Sequence, residues 1–176
     1  VRAYFDASGF KRMNKIYHSC NEEDIRIVTD DGFAVVSTPE ELHRKCDYSY
    51  QVNNRLIGFN KIDFDSAANG AEDMYTSVAC TDIDFLIKLK ADYGNYVTLI
   101  YAYLDDTTLE NALQIYEEAS REQRFTTGKA LKHVYINNPN LFDHVVLYGG
   151  EDSVFNEENL YLQLDGIVAR ARSLEV

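Results

Sequence analysis

A chain of 176 residues, 45% hydrophobic and 26% charged, suits one globular domain (1–176) with a core of its own. Its 17 basic residues against 29 acidic ones give a net charge of −12, which argues against unaided binding to a nucleic-acid backbone or an anionic membrane surface.

Taken in chain order, the first signal is a hairpin: apolar residues 25–28 and 33–36 flank Thr29-Asp30-Asp31-Gly32. Thr38, Pro39 and Glu41 then form a helix start, with Thr38 as cap, proline in the first turn and Glu41 closing a capping box, and the helix runs to about Cys46. Residues 48–52 alternate like a strand. Residues 53–74 are polar and aperiodic, with Asn53, Asn54, Gly58, Asn69 and Gly70, and read as a long loop or small subdomain. A strand is predicted at 76–80, then a helix from Asp82 that carries Ile83, Leu86, Ile87 and Leu89 and stops at Gly94. The run 96–104 is apolar nearly throughout, the pattern of a strand covered on both faces. Thr107 and Glu110 make a second capping box, and Leu109, Ala112, Leu113 and Tyr116 recur at helical spacing. Asn137, Asn138, Pro139 and Asn140 break the chain, 144–148 is a strand closed by Gly149 and Gly150, and a last helix aligns Leu160, Leu164, Ile167, Val168 and Ala171. A hairpin followed by alternating strands and helices predicts an α/β fold: a three-layer αβα arrangement with a mainly parallel sheet flanked by helices.

Cys20, Cys46 and Cys80 are odd in number and contain no CxxC pair, so neither a disulfide framework nor a zinc site is expected. Reduced thiols point to the cytoplasm. No run is long and apolar enough to span a bilayer, and no secretory signal pattern is present, so no membrane partner is expected.

Ligands of open α/β sheets sit beyond the carboxyl ends of strands. Three such ends are polar here: 81–84, 105–108 and 149–152. Asp84, Asp105 and Asp106 could hold Mg²⁺ there, a hard ion that takes oxygen ligands. The competing reading is helix capping, because acids at a helix start favour the macrodipole. Arg121, Arg124, Lys129 and Lys132 are the dense basic run of an acidic chain. They fit either a phosphate clamp, since guanidinium forks match oxyanions, or a solvated face paired with Glu117, Glu118 and Glu122. Gly128-Lys129 is no phosphate loop, because Gln123 stands where the motif needs its first glycine. The four histidines lack metal-ligand spacing, and no serine or cysteine sits in a nucleophile elbow.

Residues 79–84 end in Asp-Ile-Asp, 85–104 pair a helix with a hydrophobic strand, and 106–113 lead into Arg121 and Arg124. Residues 142–147 are a late strand, and 48–55 end in Arg55. Over about half of the chain this series resembles a guanylate kinase, with its P-loop nucleoside monophosphate kinase fold. The resemblance implies nucleotide binding in which Arg55, Arg121 and Arg124 contact an anion and Asp84 orients it. It departs where the phosphate loop belongs: Ser37-Thr38-Pro39-Glu40-Glu41-Leu42 offers no glycine or lysine, and its glutamates would repel phosphate. The glycine and acidic residues of a monophosphate site are not recognisable after Arg55. The implied function is therefore a guanylate-kinase-like module without a phosphate loop, binding a nucleotide, a phosphorylated ligand or a protein partner without catalysis. The alternatives are a nucleoside monophosphate kinase or a fragment of one, a Mg²⁺-dependent phosphoryl-transfer or hydrolytic enzyme using Asp84, Asp105 and Asp106, and an acidic interaction protein. Whether the chain is an enzyme stays open at this point.

Overall fold

A computed structural model describes residues 1–13, 15–19, 25–28, 34–37, 46–52, 55–70, 72–103, 106–147 and 157–174. The chain divides into two units, Arg2–Tyr96 and Val97–Val176, with Val1 grouped with the second.

The first unit begins with α1 (Arg2–Ala7) and β1 (Lys11–Arg12), followed by β2 (Lys15–Ser19), β3 (Ile25–Val28), β4 (Ala34–Ser37), β5 (Tyr48–Val52) and β6 (Arg55–Phe59). Helix α2 (Lys61–Ala68), β7 (Met74–Tyr75) and α3 (Ile83–Tyr93) complete it. Strands β2 to β6 form one sheet in the order β4-β3-β2-β6-β5, and every pairing in it is antiparallel. Strands β1 and β7 pair in parallel, Lys11 opposite Met74. The expectation of a mainly parallel sheet is therefore corrected for the described strands. Chain length gives the reason: only Asn53 and Asn54 separate β5 from β6, whereas a parallel neighbour needs a crossover of a dozen residues or so. Strands β3 and β4 pair with Ile25 opposite Ser37 and Val28 opposite Ala34; the Asp-Gly turn between them lies outside the described residues, as does the helix expected after Thr38.

The stretch 53–74 holds β6, α2 and β7 rather than a long loop. Its low hydrophobic periodicity has a structural cause, because α2 buries a single side chain, Phe64. Helix α3 is as the sequence reads: Asp82 accepts a hydrogen bond from the Asp84 amide at 3.0 Å, and Gly94 closes the helix at φ 56°, a left-handed conformation that glycine adopts without strain. The expected strand at 76–80 is found instead two residues earlier, at Met74–Tyr75. The core of this unit is aromatic. Phe59, fully buried, has Phe64 and Phe85 rings each at 6.1 Å, and Tyr50 meets Phe85 edge-on at 5.0 Å. Phe64 in turn stacks on Tyr93 at 5.3 Å. Two tyrosine hydroxyls in this cluster donate to carboxylates, Tyr48 to Asp92 at 2.7 Å and Tyr93 to Asp65 at 2.9 Å, so their polar ends are satisfied. Burial, reinforced by Asp65, pushes the Tyr93 phenol up to about 12.

Gly58, buried in β6, shows why that position takes no side chain: a β-carbon there would lie 2.2 Å from Cys46 Sγ and 3.0 Å from Cys46 Cβ. Gly58→Ala is expected to destabilise the fold by about 1–3 kcal/mol through overpacking, read as a lowered denaturation midpoint. Pairing it with Cys46→Ala should recover most of that loss if the sulfur is the obstacle.

The second unit contains β8 (Ile100–Tyr103), α4 (Asp106–Ala112), α5 (Glu118–Asn137), β9 (His144–Leu147) and α6 (Glu157–Leu174). Strands β8 and β9 pair in parallel, Ile100 opposite His144. The apolar stripe of α6 packs against β9, with Leu160, Leu164 and Ile167 buried alongside Val146. Strand β8 starts at Ile100 rather than at Tyr96, which ends the 3₁₀ turn Gly94–Tyr96; Leu104 lies outside the described residues. Along the pair Tyr101 is buried and Ala102 exposed, and Val145 on β9 is 42% exposed. Tyr101 stacks on Tyr135 of α5 at 4.8 Å, which ties that polar helix to the sheet. Among the described residues no helix is long and apolar enough to cross a membrane.

Candidate functional site

An arrangement of cationic groups suited to a ligand lies at the corner between α4 and α5. After Ala112 the chain tightens into a 3₁₀ turn, Leu113–Ile115, and the Tyr116 amide bonds back to the Leu113 carbonyl at 3.0 Å. Extended backbone at Glu117 then starts α5, where the Arg121 amide reaches the Glu117 carbonyl at 2.8 Å. The Glu117 side chain makes no capping bond. Arg121 and Arg124 are three residues apart on this helix and so share a face.

Their surroundings differ. Arg121 Nη1 donates to Gln114 Oε1 at 2.8 Å, and Gln114 is itself anchored on the Glu110 carbonyl at 3.1 Å. Arg121 Nε is buried and has no hydrogen-bond partner among the described residues. Arg124 is exposed; its Nε donates to Ser120 Oγ at 3.2 Å and its guanidinium lies 4.0 Å from the centre of the Tyr116 ring. Among the described residues neither arginine forms an ion pair with Glu117, Glu118 or Glu122. The solvated part of the alternative reading stands beside this, since Arg124 and Lys129 are exposed. Lys129 lies one turn on, over the Phe125 ring at 4.4 Å. Gly128 sits within α5, in keeping with its rejection as part of a phosphate loop.

The other sequence candidates are placed less completely. Arg55 opens β6, opposite Ser19 of β2 and Val52 of β5; its backbone register alone is described. Asp84 is exposed in the first turn of α3, and the capping role there belongs to Asp82. Asp106 is the first residue of α4, and Asp105 lies outside the described residues. Asp84 belongs to the first unit and Asp106 to the second. Among the described residues no group of three or more His, Cys, Asp or Glu side chains could hold a metal ion.

Tyr116 was missed in the sequence. Its spacing after Leu109, Ala112 and Leu113 marks it as core, yet it is 36% exposed and forms the platform under Arg124. The neighbouring Ile115 is 84% exposed. The turn at Leu113–Ile115 ends the helical phase, and with it the periodicity on which the core assignment rested.

A second charged cluster is structural. Arg12 grips Asp6 with Nη2 on Oδ2 at 2.5 Å and Nε on Oδ1 at 3.2 Å, while the Tyr75 hydroxyl also donates to Asp6. Those hydrogen bonds hold the Asp6 carboxyl at about 2, below its ordinary 3.8. A depressed carboxyl pKa stabilises the fold above the unfolded value and loses that contribution on protonation. The stability difference between the protein and Asp6→Asn should therefore persist at neutral pH and vanish as pH falls from 3.8 to about 2, measured as denaturation midpoints across that range.

No protein-family model matches the chain, and no curated protein matches it in sequence. Solved structures do match in backbone. One is the crystal structure of guanylate kinase from Anaplasma phagocytophilum, with a TM-score of 0.57 and 12% sequence identity, covering 99% of this chain and 80% of that one. At that identity the likeness shows the fold, and the fold is guanylate-kinase-like.

Proposed function

We propose that the chain is a guanylate-kinase-like module that binds a nucleotide or a phosphorylated group without transferring phosphate. The observation that carries this reading is the arginine corner: two guanidiniums on one helical face, neither in an ion pair among the described residues, with Arg121 Nε buried and lacking an acceptor among them. A buried donor without a partner costs roughly 1–3 kcal/mol, and a phosphate oxygen removes that cost. The second support is the sequence Ser37-Thr38-Pro39-Glu40-Glu41-Leu42, which lacks the glycines and lysine that cradle phosphates in a kinase. Arg55 and Asp84 belong to the other unit and enter as separate candidates, each tested by its own substitution.

Nucleotide affinity is expected to survive EDTA, measured by calorimetric titration, because the contacts proposed are guanidinium contacts. Affinity that disappears with EDTA would instead favour the Mg²⁺-dependent reading through Asp84, Asp105 and Asp106. Phosphate transfer between nucleotides would favour a nucleoside monophosphate kinase or a fragment of one, a reading that the backbone likeness supports. Absence of any small-ligand response, together with a specific protein in pull-downs, would leave an interaction module.

A further inference from the structure

We propose that Asn69–Gly70, at the carboxyl end of α2, is a site of spontaneous deamidation gated by opening of that helix end. This goes beyond the nucleotide reading and does not depend on it. The reaction is ring closure followed by hydrolysis. The Gly70 backbone nitrogen loses its proton and attacks the Asn69 side-chain carbonyl carbon. That nitrogen–carbon bond forms, the carbon's bond to the side-chain amino group breaks, and ammonia leaves. Water from solvent then opens the succinimide at either carbonyl, giving aspartate or isoaspartate with no change of oxidation state.

Sequence and structure both favour this position. Asn69 is the asparagine that glycine follows; every other asparagine in the chain precedes a residue with a side chain, which hinders approach of the nitrogen. Both residues are exposed. Among the described residues beyond its chain neighbours, no atom lies within 4 Å of where a Gly70 β-carbon would sit, so the ring has room and water has access. The turn itself calls for glycine, because φ at Gly70 is 76°. In the closed turn the nucleophile is engaged: the Gly70 amide donates to the Ala67 carbonyl at 3.0 Å and the Asn69 amide to the Asp65 carbonyl at 2.9 Å. Attack therefore waits until the last turn of α2 opens. That opening costs little, because α2 has 8 residues, buries Phe64 alone, and gains no side-chain cap from Asn60. The product places a new negative charge at a helix carboxyl end, where the macrodipole opposes it and no basic residue stands in the last turn. Isoaspartate also adds a carbon to the main chain, which shifts the Gly70 amide away from its acceptor. Deamidation thus favours the open end that permits it, and loosens the helix that seats Phe64 beside Phe59.

The test is peptide mass mapping of the whole chain after storage in mildly alkaline buffer, with and without urea. Without urea, conversion of Asn69 to acid is expected at least about tenfold faster than at any other asparagine, since glycine alone leaves the nitrogen unhindered. Urea should speed it several-fold further, because an unfolded turn no longer holds the Gly70 amide on Ala67. Mildly acid buffer, which keeps that nitrogen protonated, should slow it in both conditions. In Asn69→Gln the ring would be one member larger, and the isoaspartate signal at this position should disappear. Asn69 is exposed, so that variant is expected to keep the fold. The proposal is overturned if Asn69 converts no faster than the other asparagines in the absence of urea, if urea leaves its rate unchanged, if acid does not slow it, or if isoaspartate forms equally in Asn69→Gln.

Discussion

Replacing Phe59 by alanine is expected to cost about 3–5 kcal/mol, the range for removing a large aromatic side chain from a core. Phe59 has no solvent exposure and sits between two further rings, Phe64 from α2 and Phe85 from α3, each centred 6.1 Å away. It therefore joins β6 to α2 and α3, and its loss leaves a cavity that two different elements would have to close. The rigid partners on either side limit that collapse, which places the cost at the upper part of the range. Urea denaturation should show the midpoint falling with an unaltered slope. Ile62, three residues away and 69% exposed, is the internal control: Ile62→Ala should change stability by no more than about 0.5 kcal/mol.

Replacing Arg121 and Arg124 together is expected to abolish nucleotide binding, with at least about a hundredfold loss of affinity. Each charge-assisted hydrogen bond is worth roughly 1.5–3 kcal/mol, and about 2.8 kcal/mol corresponds to a hundredfold. The two residues should not contribute equally. Arg121 is already oriented by Gln114, and a buried Nε makes its capture of an oxygen a relief of unmet bonding. Arg124 is exposed and held by the Tyr116 ring, so it contributes mainly charge, which salt screens. Arg121→Ala alone is thus expected to account for most of the loss, and Arg124→Ala for a smaller one that shrinks as salt rises. Gln114→Ala, by freeing the Arg121 side chain, should weaken binding while leaving stability within about 0.5 kcal/mol. Normal binding by the double variant would remove the arginine corner from the account.

What the sequence made legible was local. Asp82 before an apolar period and Gly94 after it bound α3 correctly, because capping and a left-handed terminus depend on the residues at those positions alone. The stripe of Leu160, Leu164 and Ile167 gave α6 and its buried face for the same reason. Strand pairing was not legible. The residues of β2 and β6 lie some forty positions apart, and nothing in the local alternation says that Tyr17 faces Ile57. The arginines stood out by composition in an acidic chain. Their condition did not, because the missing partner of Arg121 and the ring beneath Arg124 arise from a 3₁₀ corner that takes Tyr116 out of helical phase.

The most direct test of the binding reading is thermal unfolding in the presence of GMP, GDP, GTP, AMP, ATP and cyclic nucleotides, each with Mg²⁺ and with EDTA. A ligand at about a hundred times its dissociation constant adds about 2.7 kcal/mol to the native state, which for a chain of this size raises the midpoint by roughly 5–10 °C. The account predicts such a rise with at least one base, equal in Mg²⁺ and in EDTA, and absent from the Arg121→Ala/Arg124→Ala protein. No rise with any nucleotide at millimolar concentration, or a rise that requires Mg²⁺, would contradict it.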